Sequence, residues 1–434
     1  MNFLNYSSLA STPAREAVLK ILDAGLESID THEVVPRAFE IHGDSVSLGG
    51  QTISLESGKI FLVSIGKCGL EAAQEIVEVL GKRIHKGIVI DVQEGRVDHP
   101  GIHVFAGDHP FPSERNVSAT RKMMDLLAET QENDTVLAAI SGGGSSLLCQ
   151  PENLTCHEEK QIVECLFRAG APIEDINVVR KHLSLAKGGF LAKYAYPAKV
   201  FGLIFSDVPG NDLEFVASGP TVRDTTTVED AQKVLEKYRV EGECVFAKEG
   251  LIETPKEEKY FSKVHNMLLV SNEIALQAMK REAESLGFRA EIRTSAFSGQ
   301  ARHVGSGVAE DLGSVPPNTV LLYGGESTVI LKGPGKGGRN LEVALSALRF
   351  LGDGDIVASL ASDGRDNGPY AGGLCDILTK QKAEEQNMDP KEFLNRNDSL
   401  NFFESVGDFL DTGDTGSNVS DLIIALRTKD DESK

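Results

Sequence analysis

Six short stretches of the chain carry residue types at spacings that chemistry could use. In Ser64-Ile65-Gly66-Lys67-Cys68-Gly69 an apolar run ends in glycine and a helical pattern follows. Lys67 therefore falls at the carboxyl end of a strand and beside a helix N-terminus, the edge where open α/β sheets bind anions. A solvated loop lysine is the plain alternative, and the spacing is not that of a P-loop. Ser141-Gly142-Gly143-Gly144-Ser145-Ser146 follows the apolar run 135–140. Consecutive glycines let several N–H groups face one point and the hydroxyls add donors, which favours a carboxylate or phosphate site over a bare turn. In the segment 180–189, Lys181, Ser184 and Lys187 recur at intervals of three before Gly188-Gly189. A helix would present them on one basic face, directed either to an anion or to water.

The other three stretches supply carboxylates and an arginine. Asp207, after the run 200–205, suits a metal ligand or a proton acceptor, or else braces an Asp-Val-Pro-Gly turn. Gly324-Gly325-Glu326-Ser327-Thr328 precedes Gly333-Pro334-Gly335-Lys336-Gly337-Gly338-Arg339-Asn340, which formally satisfies G-x-G-x-x-G. Pro334 stiffens that turn, and Arg339 at a helix start reads better as a fork for phosphoryl oxygens. Asp363 and Asp366 lie on the glycine-rich loop 362–369, suited to a metal-nucleotide site or to a ligand-free Asp-rich turn.

Elements that could position these residues alternate along the chain. Thr12-Pro13 caps a first helix through Leu22. Strands are expected at 60–65, 87–92, 102–106, 135–140 and 200–205, with helices at 72–80, 114–129 and 157–168 between them. The alternation implies parallel β-α-β units with helices on both faces. Thr226 and Glu229 suggest a capping box that opens a helix toward 238. Residues 241–262 are charged and aperiodic and read as a boundary between an N-terminal domain, 1–240, and a C-terminal α/β domain, 263–434. The second domain's expected strands are 267–270, 290–294, 319–323, 328–332, 356–361 and 422–426. The tail after Arg427 has a disordered composition.

Bulk composition narrows the function classes. At 434 residues the chain exceeds one core, and 41% hydrophobic residues are ordinary for a globular protein. Forty-four basic against sixty-five acidic side chains give a net charge of −21, which argues against nucleic acid and anionic membrane as partners. A phosphate site must then be built locally from amides, a few cations and a divalent metal. Six cysteines without a C-x-x-C pair fit a reducing compartment, and no stretch has signal-peptide or membrane-span character, so the cytoplasm is expected.

Taken together the segments resemble the class II glycerate kinases, the glycerate kinase family whose C-terminal part is called the MOFRL domain. The resemblance rests on GKCG at 66–69, SGGGSSLL at 141–148, KHLSLAKGG at 181–189 and SDVPGNDLEFVASGPTV at 206–222. It continues through GGESTV at 324–329, GKGGRN at 335–340, ASDGRDNGP at 361–369 and TGDTGSNVSDL at 412–422. It implies a large Rossmann-like N-terminal domain, a smaller C-terminal α/β domain, and an active site in the cleft between them. It also implies ATP, Mg²⁺, D-glycerate as the small-molecule substrate and, in most members, a 2-phosphoglycerate product. Lys67 and Arg339 correspond to the family's expected catalytic pair, with Asp207 as metal ligand or general base. Ser141 to Ser146, Lys181, Lys187 and Asn340 are the expected substrate or phosphate contacts, and Asp207, Glu326 and Asp363 the carboxylates for the metal. Cys68-Gly69, and Arg365 with Asn367, depart from the family's pattern. An NAD(P)H-dependent hydroxypyruvate reductase is the rival reading, carried by the 333–338 glycines with Asp353 or Asp355 near the ribose-binding spacing. Nucleotide preference, the phosphorylated hydroxyl and a homodimer stay open at this level.

Overall fold

The short strands β1 (Phe39–His42), β2 (Ser45–Leu48) and β3 (Gln51–Ser54) form an antiparallel meander. The apolar runs that follow become β4 (Ile60–Ile65), β5 (Ile84–Asp91), β6 (Ile102–Ala106), β7 (Thr135–Ile140), β8 (Lys199–Phe205) and β9 (Val264–Val270). In this computed structural model residues 2–54, 57–208, 210–240 and 248–428 are described. Most of the boundary segment's first part, 241–247, and the tail from 429 lie outside them, as does Pro209.

These six strands make one sheet in the order β6-β5-β4-β7-β8-β9, and β4, β5, β6, β7 and β8 run parallel. Every residue of β4 and β7 is buried, as expected of central strands covered by helices on both faces. From β4 the chain winds first outward through β5 and β6, then returns to the other side through β7 and β8. That reversal is the topological switch point, where open parallel sheets leave a ligand crevice beyond the carboxyl ends of the strands. Helices Gly69–Leu80, Glu114–Ala128 and Cys156–Arg168 occupy the expected intervals. A capping box is present at Thr227 and Asp230, one residue beyond the expected pair.

The second sheet is built from β10 (Arg289–Phe297), β11 (Thr319–Gly325), β12 (Asp355–Ala361), β13 (Gly372–Cys375), β14 (Phe409–Leu410) and β15 (Asp421–Arg427), ordered β10-β11-β15-β12-β13-β14. It is mixed: β10 and β11 are parallel, but β15 inserts antiparallel between β11 and β12. The expected strand at 328–332 does not form. Lys332 and Gly333 donate their N–H groups to the Asn397 side chain, at 2.6 and 3.1 Å, instead of to a neighbouring strand.

Two compact units result, residues 31–269 and residues 1–30 together with 270–434. This departs from a division at 240 and 263 in two ways. The strand β9 completes the edge of the first sheet, and the first thirty residues belong with the C-terminal portion. The reason lies in helix Pro13–Glu27, which packs on helix Asn272–Ser285; a Cβ at Gly25 would come within 2.7 Å of Met279 Cγ. Arg15 on that helix is wholly buried and donates to Asp376 Oδ1 and Oδ2 at 2.6 Å each and to Asp408 Oδ1 at 2.8 Å. Burial pulls its pKa down, but Asp376 and Asp408 outweigh that and raise it. Arg15→Leu removes the guanidinium from two buried carboxylates, leaving Asp376 with Thr379 only among the described residues and Asp408 with Lys382 and Thr379, and is expected to destabilise the fold by about 3 kcal/mol, read by urea unfolding. No helix among the described residues is long and apolar enough to cross a membrane.

Candidate active site

In the first unit the loops after β4 and β7 are built around each other. Ser141 donates its N–H to the Ile65 carbonyl at 2.8 Å, and Lys67 donates its N–H to the Gly142 carbonyl at 2.9 Å. Gly66, at φ +123°, is obligatory because a Cβ there would sit 2.0 Å from Ser141 Oγ. The Lys67 side chain is exposed, over the glycine-rich turn: a Cβ on Gly143 would meet Lys67 Cγ at 3.1 Å and His109 Cδ2 at 3.3 Å. Gly143 itself lies in the left-handed region at φ +82°. The N–H groups of Gly142 and Gly143 form no hydrogen bond among the described residues. Asp207 is half-buried against the same turn, for a Cβ on Gly142 would approach its Oδ2 to 2.0 Å.

The hydroxyls of the turn are held by a second loop layer. Ser145 Oγ and Ser218 Oγ lie 2.9 Å apart, and Ser146 Oγ donates to the Pro110 carbonyl at 2.6 Å. Ala217 and Ser218 take left-handed backbone conformations, φ +51° and +60°, where Ala217 packs against Gly144. Non-glycine residues held in that region concentrate at functional sites, since the surroundings must over-determine them.

Two lysines expected in the site are elsewhere. The helix Ile173–Lys181 ends at Lys181, so Lys181, Ser184 and Lys187 do not share a helical face. Lys181 Nζ is buried between Glu214 Oε2 at 2.8 Å and Asp224 Oδ1 at 2.6 Å, and Lys187 Nζ is buried on Glu159 Oε1 at 2.6 Å. Buried ammonium groups demand such partners, which removes both from substrate contact. The geometry instead brings His109 to the turn. Partial burial, then the charges of Lys67 and Arg180, push its imidazole below the ordinary value and keep it neutral at pH 7. Nothing in the local sequence around His109 marked it, because it arrives on the loop after β6.

In the second unit Arg339 opens helix Arg339–Leu348. Its Nε and Nη2 donate to Asp421 Oδ2 and Oδ1 at 2.7 and 3.0 Å, a bidentate fork, while Nη1 donates to Glu326 Oε1. Asp421 begins β15 and is paired in register with both Gly325 and Ala361, so the ends of β11 and β12 meet under the guanidinium. Asn340 is buried, donating to Asp421 Oδ1 at 2.9 Å and accepting from Ser359 Oγ at 2.5 Å. That makes it a support for Asp421 rather than an open ligand contact. Asp366 caps the helix by accepting from the Asn340 and Leu341 N–H groups at 3.0 and 2.8 Å.

Of the two buried carboxylates here, Asp421 is bound by the guanidinium and Asp366 by the Asn340 and Leu341 N–H groups. Burial pushes Asp366 up to about 6 against those N–H groups, and Asp421 up to about 7 against the pull of Arg339. A raised carboxylate pKa means that the folded site takes up a proton the unfolded chain would release at this pH. If charged Asp421 orients Arg339, kcat rises with pH through about 7 and falls below it. A kcat–pH profile is expected to show that acid limb, and Asp421→Asn to run low and flat.

The carboxylates put forward for a metal are dispersed. Glu326 is taken by Arg339, and Asp363 accepts the Arg365 N–H on Oδ1 at 3.0 Å. Asp207 belongs to the other unit. Among the described residues no group of three or more His, Cys, Asp or Glu side chains could hold a metal.

In one α/β unit, a turn of unengaged amides beside an exposed lysine suits a small anion; in the other, a clamped arginine at a helix start suits phosphoryl oxygens. Residues 17–247 match the family described as Domain of unknown function (DUF4147), and residues 319–421 match the MOFRL family. A D-glycerate 2-kinase of Thermotoga maritima is 39% identical over 409 residues, 91% of this chain and 97% of that protein. A crystal structure of a glycerate kinase from Thermotoga maritima shares 35% identity and a TM-score of 0.83, covering 95% of this chain and 99% of that one. A protein of Agrobacterium vitis with a provisional hydroxypyruvate reductase name is 33% identical over 428 residues, 94% of this chain and 93% of that protein. The chain belongs to the glycerate kinase family.

Proposed function

We propose that the protein transfers the γ-phosphoryl group of ATP to D-glycerate, giving 2-phosphoglycerate. The observation that carries this reading is the exposed Lys67 side chain beside the Gly142–Gly143 turn, whose amides make no hydrogen bond among the described residues, at the sheet's switch point. Phosphoryl transfer asks for positioning and charge neutralisation more than for covalent help from the protein. The turn 141–146 receives the acceptor's carboxylate, Lys67 and Arg339 each neutralise phosphate oxygens, and Asp207 accepts the hydroxyl proton. A nucleotide-borne Mg²⁺ would ask for only one or two protein carboxylates. Asp363, half-buried after β12, is the residue that would hold it; the ion supplies further neutralisation of phosphate charge. Among the described residues five buried free thiols suit the reducing cytoplasm.

The reductase reading finds little support in the glycines that suggested it. Gly333 and Gly335 exist because a Cβ at either would lie 2.5 Å from the Arg396 carbonyl oxygen, and the Lys336 N–H donates to Asp398 Oδ1 at 3.0 Å. That loop is folded onto protein, not onto a pyrophosphate, and no strand leads into it.

One experiment tests the function. Purified protein with D-glycerate, Mg²⁺ and ATP is expected to yield 2-phosphoglycerate by phosphorus NMR, and hydroxypyruvate with NADH to show no turnover. The reverse result ends the kinase reading. Within it, Gly143→Val is expected to raise KM for glycerate by at least about tenfold, since a β-branched residue disfavours φ +82° and its branches crowd Lys67 and His109. Steady-state kinetics in glycerate at saturating ATP measure it.

A further inference from the structure

Arg180 is the unexplained cation of the first unit. It sits in the last turn of helix Ile173–Lys181, half-buried, and lines a small recess with Pro110, Ser145, Ser146, Glu159 and Lys160. Two of those are the hydroxyl residues of the glycine-rich turn. Every other buried or half-buried cation of that unit's interior has its carboxylate: Lys181 has Glu214 and Asp224, and Lys187 has Glu159. The Arg180 guanidinium makes neither a hydrogen bond nor an ion pair among the described residues.

The nearby acids cannot serve it. Glu159 Oε1 is held by Lys187 at 2.6 Å, and its Oε2 accepts from the Cys149 thiol at 3.3 Å. The remaining contact is with the Phe167 ring, 5.7 Å from the guanidinium carbon. A cation–π contact at an exposed ring is worth about 0.5–1 kcal/mol and satisfies none of the five N–H donors. The guanidinium nitrogens still reach solvent, since none is among the buried side-chain atoms without a partner, so its donors face water that a ligand's acceptor oxygens can replace. Burial lowers its pKa, and its charge is felt at His109 together with that of Lys67. Lys67 Cγ and His109 lie against the position of a Gly143 Cβ, and Arg180 lines the recess beside Ser145 and Ser146 of the same turn.

We propose that Arg180 is the anchor for the acceptor's carboxylate, binding it through its paired N–H donors while the turn's amides complete the pocket. A planar fork matches the two oxygens of a carboxylate, which a lysine would grip at one point only. This assigns the substrate class of the turn as a short α-hydroxy acid. It rests on the glycerate kinase reading given above. Lys67, nearer to Gly143, remains for the phosphoryl group.

The test compares wild type, R180K and R180Q for KM and kcat in D-glycerate and in ATP, with glycerate binding measured separately by calorimetry without nucleotide. R180Q is expected to raise KM and Kd for glycerate by about a hundredfold, the size of a lost charged bidentate contact, with KM for ATP within twofold of wild type. R180K is expected to recover only part of the loss. A shift in KM for ATP instead would assign Arg180 to nucleotide phosphate and overturn the proposal, as would unchanged glycerate binding. If R180Q fails to fold, R180K carries the same comparison, and unchanged glycerate affinity in it overturns the proposal equally. If wild type itself does not phosphorylate glycerate while still binding it through Arg180, the function reading fails and the anchor stands.

Discussion

Replacing Lys67 by alanine is expected to lower kcat by about three orders of magnitude while leaving the urea midpoint within error of wild type. The two halves of that expectation have separate origins. Lys67 is exposed and its backbone, not its side chain, ties the β4 and β7 loops: the N–H to Gly142 bond survives the substitution. Stability is therefore untouched, since surface truncations away from caps and cores stay within about 0.5 kcal/mol. Turnover is affected because the ammonium would act on charge that develops only in transfer, so its loss appears in kcat more than in KM. Lys67→Arg is the sharper variant. It keeps the charge but brings a bulkier planar group to a turn where Gly143 already lies within van der Waals reach, and partial activity is expected. Steady-state kinetics in both substrates decide the matter; near-normal kcat in Lys67→Ala would remove the residue from the mechanism.

The second large effect is expected at Arg339, where even Arg339→Lys should cost at least about a hundredfold in kcat. Arg339 holds Asp421 through Nε and Nη2 and Glu326 through Nη1, so its plane is fixed before any phosphate arrives. A lysine cannot donate through two rigid nitrogens to one carboxylate while aiming a third elsewhere. It would also leave Asp421, fully buried, with only Asn340 as a donor. An unpaired buried carboxylate takes a proton rather than remain charged, so Arg339→Lys and Arg339→Ala should each move the acid limb of the activity profile to higher pH. In Arg339, burial works to lower the pKa while Asp421 and Glu326 raise it, so the guanidinium stays charged throughout. An Arg339→Lys enzyme with wild-type kcat and an unshifted limb would show that the fork geometry is not used.

The sequence determined the local pieces of this protein because each piece is bounded by local physics. A continuous apolar run such as 135–140, bounded by turn residues, reads as a buried strand, and three glycines after it read as a turn that frees amides. The helix start at Pro13 was legible from Thr12 because a cap is a contact between residues three apart, whereas the cap at Thr155 was not read from the sequence. The hairpin signals Gly43-Asp44 and Gly49-Gly50 also lay in the sequence, although the meander they join was not anticipated.

What the tertiary structure decided was which charges remain available. Lys181 and Lys187 carry the same sequence signature as Arg180, a basic residue near a glycine pair. Their fates differ because Asp224, Glu214 and Glu159 come from distant segments, as much as 43 residues away in the Lys181–Asp224 pair. In the same way β15 arrives from the far end of the chain to set Asp421 under Arg339, and Arg15 carries the first helix to Asp376, 361 residues on. A charge in a sequence has no partner until the chain folds, and in a buried site the partner decides whether the charge is structural or free to act.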